Sequence, residues 1–255
     1  MNGKNPDTVI RSVLNFRDAG GMPTSDGKRI KEKTIFRSAT PDNISKKDVE
    51  KLHDLNIRTI VDLRAPGEVG KNRKHLGSFE TVSLPLDFEG VTRERLIPLL
   101  KHDNAKVLIP EMIRDLYIEI LDGSVGVFRS IVELLLDPLR TPLLIHCHAG
   151  KDRTGIICAL IQTALGAGRQ SIVDNYMESN RSVVPHYKKF LIMRQILSIG
   201  FFPANKILFA ITVREDNMIS VINRIENHYG GIDRYLALSG NLSSELKELK
   251  GHLVT

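Results

Sequence analysis

Apolar positions along the chain alternate between helical and extended spacing, and the changes of spacing mark out the elements. Ile44, Val49, Leu52 and Leu55 recur near helical spacing around Ser45-Lys46-Lys47-Asp48, which has the form of a capping box. That pattern predicts a helix over 45–55, with Asn56 as its left-handed stop. The next run, Ile57-Arg58-Thr59-Ile60-Val61-Asp62-Leu63, is rich in β-branched residues and ends at Arg64-Ala65-Pro66-Gly67, so it reads as a strand feeding a loop. Thr81-Val82-Ser83-Leu84 is a second short strand, stopped by Pro85. Pro110 opens a helix over 110–121 that places Ile113, Leu116, Tyr117 and Ile120 on one face before Gly123. Phe128, Ile131, Val132 and Leu135 repeat the spacing, and Pro138 ends it.

Two stretches have no polar face. Pro142-Leu143-Leu144-Ile145-His146-Cys147 suits a short strand covered on both sides. Gly155-Ile156-Ile157-Cys158-Ala159-Leu160-Ile161, apolar all round up to Gly166, suits a helix buried in the middle of a domain. Strands alternating with helices predict an α/β fold: a mostly parallel central sheet flanked by helices, with a helical C-terminal extension. No repeat and no Pro- or Ser-rich linker divides the chain, so one domain is expected over 1–255, with a sheet-containing core over roughly 1–170. From about 169 the pattern is helical throughout, with Met218, Ile222 and Ile225 on one face and Gly230-Gly231 behind them. Residues 171–255 are either a lid or the rest of the core.

Composition narrows the class. At 255 residues, 42% hydrophobic and 26% charged, the chain is long enough to bury a core without staples, and it is neither disordered nor fibrous. No apolar run is long enough to span a membrane, and the first 30 residues lack the apolar stretch of a signal peptide. The expectation is a cytoplasmic protein, or an exported one whose signal is not in this sequence. The formal charge of +6 mildly favours anionic partners, and as it reads spread along the chain there is no nucleic-acid arm. Two cysteines outside any C-x-x-C pair point to a reducing compartment or to thiol chemistry.

Between the buried strand and the buried helix lies His146-Cys147-His148-Ala149-Gly150-Lys151-Asp152-Arg153-Thr154-Gly155. A loop that brings a thiol to a helix N-terminus meets unpaired backbone N–H groups and the positive end of the helix dipole. A phosphate there is gripped by the amides of His148 to Arg153 acting as a nest and by the Arg153 guanidinium. The same field favours the thiolate of Cys147, so nucleophile, oxyanion cradle and charge clamp come from one short segment. Lys151 adds a positive charge at the rim. Cys158, among Ile and Leu, reads as core packing. His146 and His148 flank a cysteine but find no further ligand cluster, so no metal and no cofactor are expected.

The segment resembles the signature of the cysteine-dependent phosphatases, H-C-x5-R-[ST], and more closely the bacterial tyrosine/dual-specificity phosphatases with an H-C-x-A-G-K-D-R-T-G loop. Asn15-Phe16-Arg17-Asp18, Ile35-Phe36-Arg37-Ser38, Ile60-Val61-Asp62-Leu63-Arg64 with Glu68, and Tyr229-Gly230-Gly231 with Tyr235-Leu236 extend the resemblance over nearly the whole chain. It implies two-step hydrolysis through phosphocysteine at Cys147, with a phosphate ion or phosphoester in the loop and a phosphorylated protein or a phosphoinositide as partner. It further implies that Thr154 bonds the sulfur and that His146 orients the loop and tunes the thiolate. Many relatives carry the general acid on a Trp-Pro-Asp loop, and this chain has no tryptophan. Asp152 is the first candidate, Asp62 the second and Asp87 the third, and the acid must hold its proton in the substrate complex. Arg64 with Glu68, and Arg17 with Asp18, are either supports of the loop or substrate contacts. A dedicated phosphoinositide phosphatase, a rhodanese-type sulfur transferase and a non-catalytic phospho-ligand binder stand as alternatives. The His before the cysteine and the Arg-Thr ending argue against the second, and the presence of both Cys147 and Arg153 against the third.

Overall fold

The computed structural model describes residues 10–70, 75–199, 201–240 and 242–255. Five strands form one sheet in the order β1 (Arg17–Asp18), β2 (Ile35–Ser38), β5 (Leu143–His146), β3 (Thr59–Asp62) and β4 (Glu80–Ser83). Only β1 runs antiparallel, against β2; the other three pairings are parallel. The three central strands are buried throughout, and alternate side chains enter opposite layers. Phe36, Ile60 and Leu144 enter a smaller layer with Leu52 of α1 (Lys46–Asp54), while Ile35, Val61, Leu143 and Ile145 enter the main core. Register puts Ser38 and Asp62 on either side of His146, so β2, β3 and β5 end at one level. Connections leaving that level come from the carboxyl ends of parallel strands, where α/β sheets bind ligands.

Helices α2 (Glu89–Lys101), α3 (Ala105–Asp122) and α4 (Val125–Leu136) follow β4, and α5 (Arg153–Ala164) follows β5. The chain then runs through α6 (Arg169–Met177), α7 (Ser179–Leu197), α8 (Ala204–Ile211), α9 (Glu215–Asn223), a π-helical turn Arg224–His228, α10 (Ile232–Ala237) and α11 (Ser243–Leu253). Met218, Ile222, Ile225, Leu236, Leu249 and Leu253 lie in the same core as the strands. Backbone bonds from Lys31 to Leu253 and between Arg29 and Thr255 tie down the end. Helices α9, α10 and α11 therefore belong to the core, and the C-terminal half of α7 is the part that stands off.

Several expectations changed on contact with the structure. Ser45 caps α1 by accepting from the Asp48 amide, but the Asp48 carboxylate turns to the Ser12 hydroxyl and the amides of Arg11 and Ser12, so half of the capping box is replaced by a long-range tie. Asn56 does take the left-handed conformation (φ +56°). Pro110 lies inside α3, not at its start. The helix begins at Ala105 because Ala105 and Ile109 are buried against α8, which offsets the one backbone hydrogen bond that proline removes. Helix α2, with three charged residues in Arg93-Glu94-Arg95 and weak amphipathic spacing, had no signature in the apolar pattern.

Candidate active site

Strand β5 delivers Cys147, 3% exposed, to a loop that closes on α5. Asp152 occupies the N-cap position, Arg153 opens the helix, and α5 is buried along nearly its whole length. Gly150 sits at φ +67°, and a Cβ there would lie 2.2 Å from the Ser38 carbonyl oxygen, so glycine is required where the loop crosses the end of β2. The Gly150 carbonyl accepts from Asn15 Nδ2 (2.8 Å) and from Arg37 Nη2 (2.9 Å). Both donors are buried, and Asn15 itself holds φ +60°, a strained conformation that asparagine tolerates.

Arg153 is clamped from the other side. Its Nη1 and Nη2 donate to Glu68 Oε2 (2.5 Å) and Oε1 (2.6 Å), and Nη1 also meets the Leu86 carbonyl (3.1 Å). Burial alone would weaken the guanidinium's hold on its proton; the Glu68 carboxylate and the charge on Cys147 more than offset it, so its pKa rises. Glu68 ends the 3-10 turn Pro66–Glu68 and accepts from the Ala65 amide. It is therefore Arg153, not Arg64, that Glu68 orients.

Arg64, 1% exposed, is gripped along both edges: Asp62 accepts from its Nε and Nη2 (2.9 and 2.8 Å), and Asp42 from its Nη1 and Nη2 (2.7 and 3.0 Å). This places Arg64 as a support at the end of β3. Burial would raise the Asp62 carboxyl, but the Arg64 donors outweigh it and hold its pKa below the ordinary value. A buried, ion-paired carboxylate of this kind is poorly suited to carry a proton for a leaving group. Across the sheet His146 Nε2 lies 3.8 Å from Asp62 Oδ2 and Nδ1 lies 3.3 Å from the Cys147 carbonyl. Burial pulls this imidazole down to about 4 against the opposing pull of Asp62, so it is neutral at pH 7.

Asp152 sits at the mouth with its side chain 31% exposed. Lys151 Nζ reaches its carboxylate at 2.7 Å, and the buried Tyr117 hydroxyl donates to Oδ1 at 2.5 Å. Tyr117 and Tyr176 are 2.7 Å apart through their hydroxyls, and burial followed by the Asp152 charge raises the pKa of both phenols, so they stay protonated. A cleft of about 170 Å³ opens beside His148, Asp152 and Arg153, with Phe88, Leu116 and Ile120 as an apolar wall.

The remaining candidates fall further out. Arg17 contacts Asn15, the Asn175 carbonyl and Ser179, so it supports the residue that supports the loop. The Asp18 carboxylate accepts from the amides of Gly20 and Lys33, away from the loop. Asp87 is exposed beside Gly67 and Arg93 in a second cleft of about 310 Å³, which shares Glu68 with the first. The Thr154 hydroxyl is buried without a hydrogen-bond partner, so the bond to the Cys147 sulfur is not made in this arrangement. Cys147 and Cys158 are both free thiols, and burial raises the Cys158 pKa. Among the described residues no cluster of His, Cys, Asp and Glu is arranged to hold a metal ion, and no helix is long and apolar enough to cross a membrane. Asn15, Arg37, Asn175, Tyr117 and Tyr176 complete the site; the segments holding Asn15 and Arg37 carry the family resemblance without a role for either residue, and Asn175, Tyr117 and Tyr176 had no such signal.

A cysteine at the end of a central parallel strand, separated by five residues from an arginine in the first turn of a buried helix, is the arrangement of a cysteine-dependent phosphatase. Residues 8–255 match the model of the tyrosine phosphatase family, and the chain belongs to that family of hydrolases. It is 28% identical over 250 residues to a Cupriavidus necator protein that carries the name of a tyrosine-protein phosphatase, with 96% of this chain and 88% of that one covered. It is 31% identical over 121 residues, 44% of each chain, to the triple specificity protein phosphatase PtpB of Mycobacterium tuberculosis. Among solved structures, the core catalytic domain of the S. cerevisiae PP-IP phosphatase Siw14 aligns at a TM-score of 0.43 and 18% identity, over 91% of this chain and 96% of that one.

Proposed function

We propose that the chain hydrolyses phosphomonoesters through a phosphocysteine at Cys147, acting on phosphotyrosine in proteins and extending to phosphoserine/threonine and phosphoinositides. The observation that carries this reading is the loop itself: a buried cysteine and an arginine fixed by Glu68, on a backbone held by Asn15 and Arg37. In the first step the Cys147 thiolate attacks phosphorus, an S–P bond forms and the P–O bond to the leaving group breaks. Loop amides and Arg153 hold the equatorial oxygens, and Asp152 gives its proton to the leaving oxygen. In the second step water attacks phosphorus, Asp152 takes the water's proton, the S–P bond breaks and Cys147 departs as thiolate, with Thr154 turned to the sulfur. His146, neutral and packed between Asp62 and the loop, orients the segment.

An apolar wall of Phe88, Leu116 and Ile120 beside Asp152 suits an aryl leaving group. The name of the mycobacterial relative, a triple specificity phosphatase, supports a mouth open to more than one phosphoester. A dedicated phosphoinositide phosphatase is the alternative that a panel of phosphopeptides and phosphoinositides, assayed side by side, separates. Cys147→Ser is expected to abolish phosphate release from a small aryl phosphate; turnover like that of the unmodified protein would sink the assignment. Asp152→Asn is expected to slow release of poor leaving groups by about a hundredfold and good ones far less. Asp62→Asn showing that dependence instead would transfer the acid's role to Asp62.

A further inference from the structure

Seven of the eleven large apolar side chains that stand exposed among the described residues lie between Phe190 and Phe201. They crowd the C-terminal end of α7 and the turn before α8, and exposure climbs to 88% at Ile199 and 91% at Phe201. Single exposed apolar residues need no account, but a contiguous group does. Ile199 also holds φ +52°, unfavourable for a β-branched residue, and its side chain gains no burial from it.

The charge around this group corrects the expectation of an evenly spread excess. Between Glu178 and Glu215 the chain has no Asp or Glu and six Lys or Arg, which equals the whole formal excess of +6. Lys188, Lys189 and Arg194 are exposed on the same helix, and the Arg194 guanidinium lies over the rings of Phe190 and Phe202 at 5.7 and 5.2 Å. An apolar tip ringed by cations with no interspersed anion is complementary to the headgroup region of an anionic bilayer. A second copy of this chain would set like charges against each other. No helix of the described residues spans a membrane, so contact would be peripheral. The earlier part of the same helix, not its exposed end, faces the reaction centre: Tyr187, one turn before Phe190, feels the charge of Cys147 after the larger effect of its own burial.

We infer that the end of α7, with Ile199 and Phe201 beyond it, forms a docking surface for an anionic lipid bilayer, with Ile196, Leu197, Ile199 and Phe201 entering the interface and Lys188, Lys189 and Arg194 meeting the headgroups. This goes beyond the phosphatase reading and does not depend on it, because binding is read without turnover.

The test is cosedimentation of the full chain with vesicles of phosphatidylcholine alone or mixed with phosphatidylglycerol, at low and high salt. The expected result is binding to the mixed vesicles, weakened by salt, and little binding to neutral ones. Ile199→Glu combined with Phe201→Glu is expected to weaken binding by more than about tenfold, and Lys188→Ser with Lys189→Ser to remove most of the preference for anionic lipid. Leu139→Glu, a control at an exposed leucine ahead of β5, is expected to bind like the unmodified protein. Turnover of a small aryl phosphate without vesicles is expected to be unchanged in the glutamate pair, which also shows that it folds. Failure to bind mixed vesicles, or binding undiminished in the glutamate pair, overturns the proposal. A dimer in solution that the pair dissociates assigns the patch to a second copy instead. A changed KM for the aryl phosphate assigns it to the protein's own mouth, and either result overturns the proposal too.

Discussion

Arg37, behind the Cys147 loop, is 1% exposed, while Phe201, past the end of α7, is 91% exposed. The loop is determined several times over: Gly150 is wedged against Ser38, its carbonyl takes two buried donors, and Arg153 is held by a two-pronged carboxylate. The end of α7 has almost nothing of the kind, and its last three turns bury only Leu191. The difference separates two ways of making a surface functional. Phosphate chemistry needs donors fixed before substrate arrives, so its supports lie inside the fold. Contact with a deformable partner needs exposed apolar area and charge, and tolerates a loosely packed scaffold.

Substitutions on the two sides should therefore differ sharply in effect. Gly150→Ala forces a Cβ into backbone and is expected to cost about 3 kcal/mol or more, by urea unfolding, and to lower kcat about a hundredfold by displacing the loop. A variant that unfolds like the unmodified protein would show the loop to be less constrained than its geometry indicates.

The pH dependence should also belong to the buried side. His146 has its pKa lowered to about 4 in the fold against 6.5 when unfolded, so on acidification the unfolded chain takes up the proton first. Its contribution is intact above the unfolded value and is lost as pH falls from about 6.5 towards 4, on the order of 3 kcal/mol in all. Arg64 works with burial and Asp62 against it. Asp48 and Asp62, both lowered, contribute fully above the ordinary carboxyl value of 3.8 and lose that contribution as pH falls below it, so the windows separate. Denaturant titrations across that range should show the slope flattened in His146→Asn; an unchanged slope would assign it elsewhere.

Tyr117→Phe keeps the ring and removes one donor to Asp152, and is expected to lower kcat for alkyl phosphates about five- to tenfold with KM nearly constant. An equal loss for good and poor leaving groups would mean that Tyr117 acts by packing and does not position Asp152 as the proposed acid. At the exposed end, Phe201→Glu is expected to shift stability by less than about 0.5 kcal/mol, because it opens no cavity and removes no buried bond. A loss as large as that of Gly150→Ala would erase the contrast between the regions.

Contiguous features were legible in the sequence. The ten residues from His146 to Gly155 and the apolar runs on either side announce strand, loop and buried helix, because nucleophile, cradle and clamp are chain neighbours. The second layer of the site was not legible. Asn15 reaches Gly150 across 135 residues and Arg37 across 113, and although their segments carry the family resemblance, nothing local says that either holds the loop backbone. Pairing was likewise hidden: Glu68 and Arg64 are near in sequence, yet the fold sends one to Arg153 and the other to Asp62 and Asp42. Start signals misled where burial outweighed propensity, as at Pro110. Net charge concealed its own distribution, since +6 does not reveal an acid-free stretch of 36 residues.

Thr154 offers one more lesson, for anyone who would improve this molecule. A buried hydroxyl without a partner costs the resting fold about 1–3 kcal/mol, and valine fills nearly the same space without that cost. A library screened only for heat resistance would therefore be drawn to Thr154→Val, and under the mechanism proposed above it would select proteins that melt later while phosphocysteine accumulates on them. Screens of this scaffold should read phosphate release alongside melting.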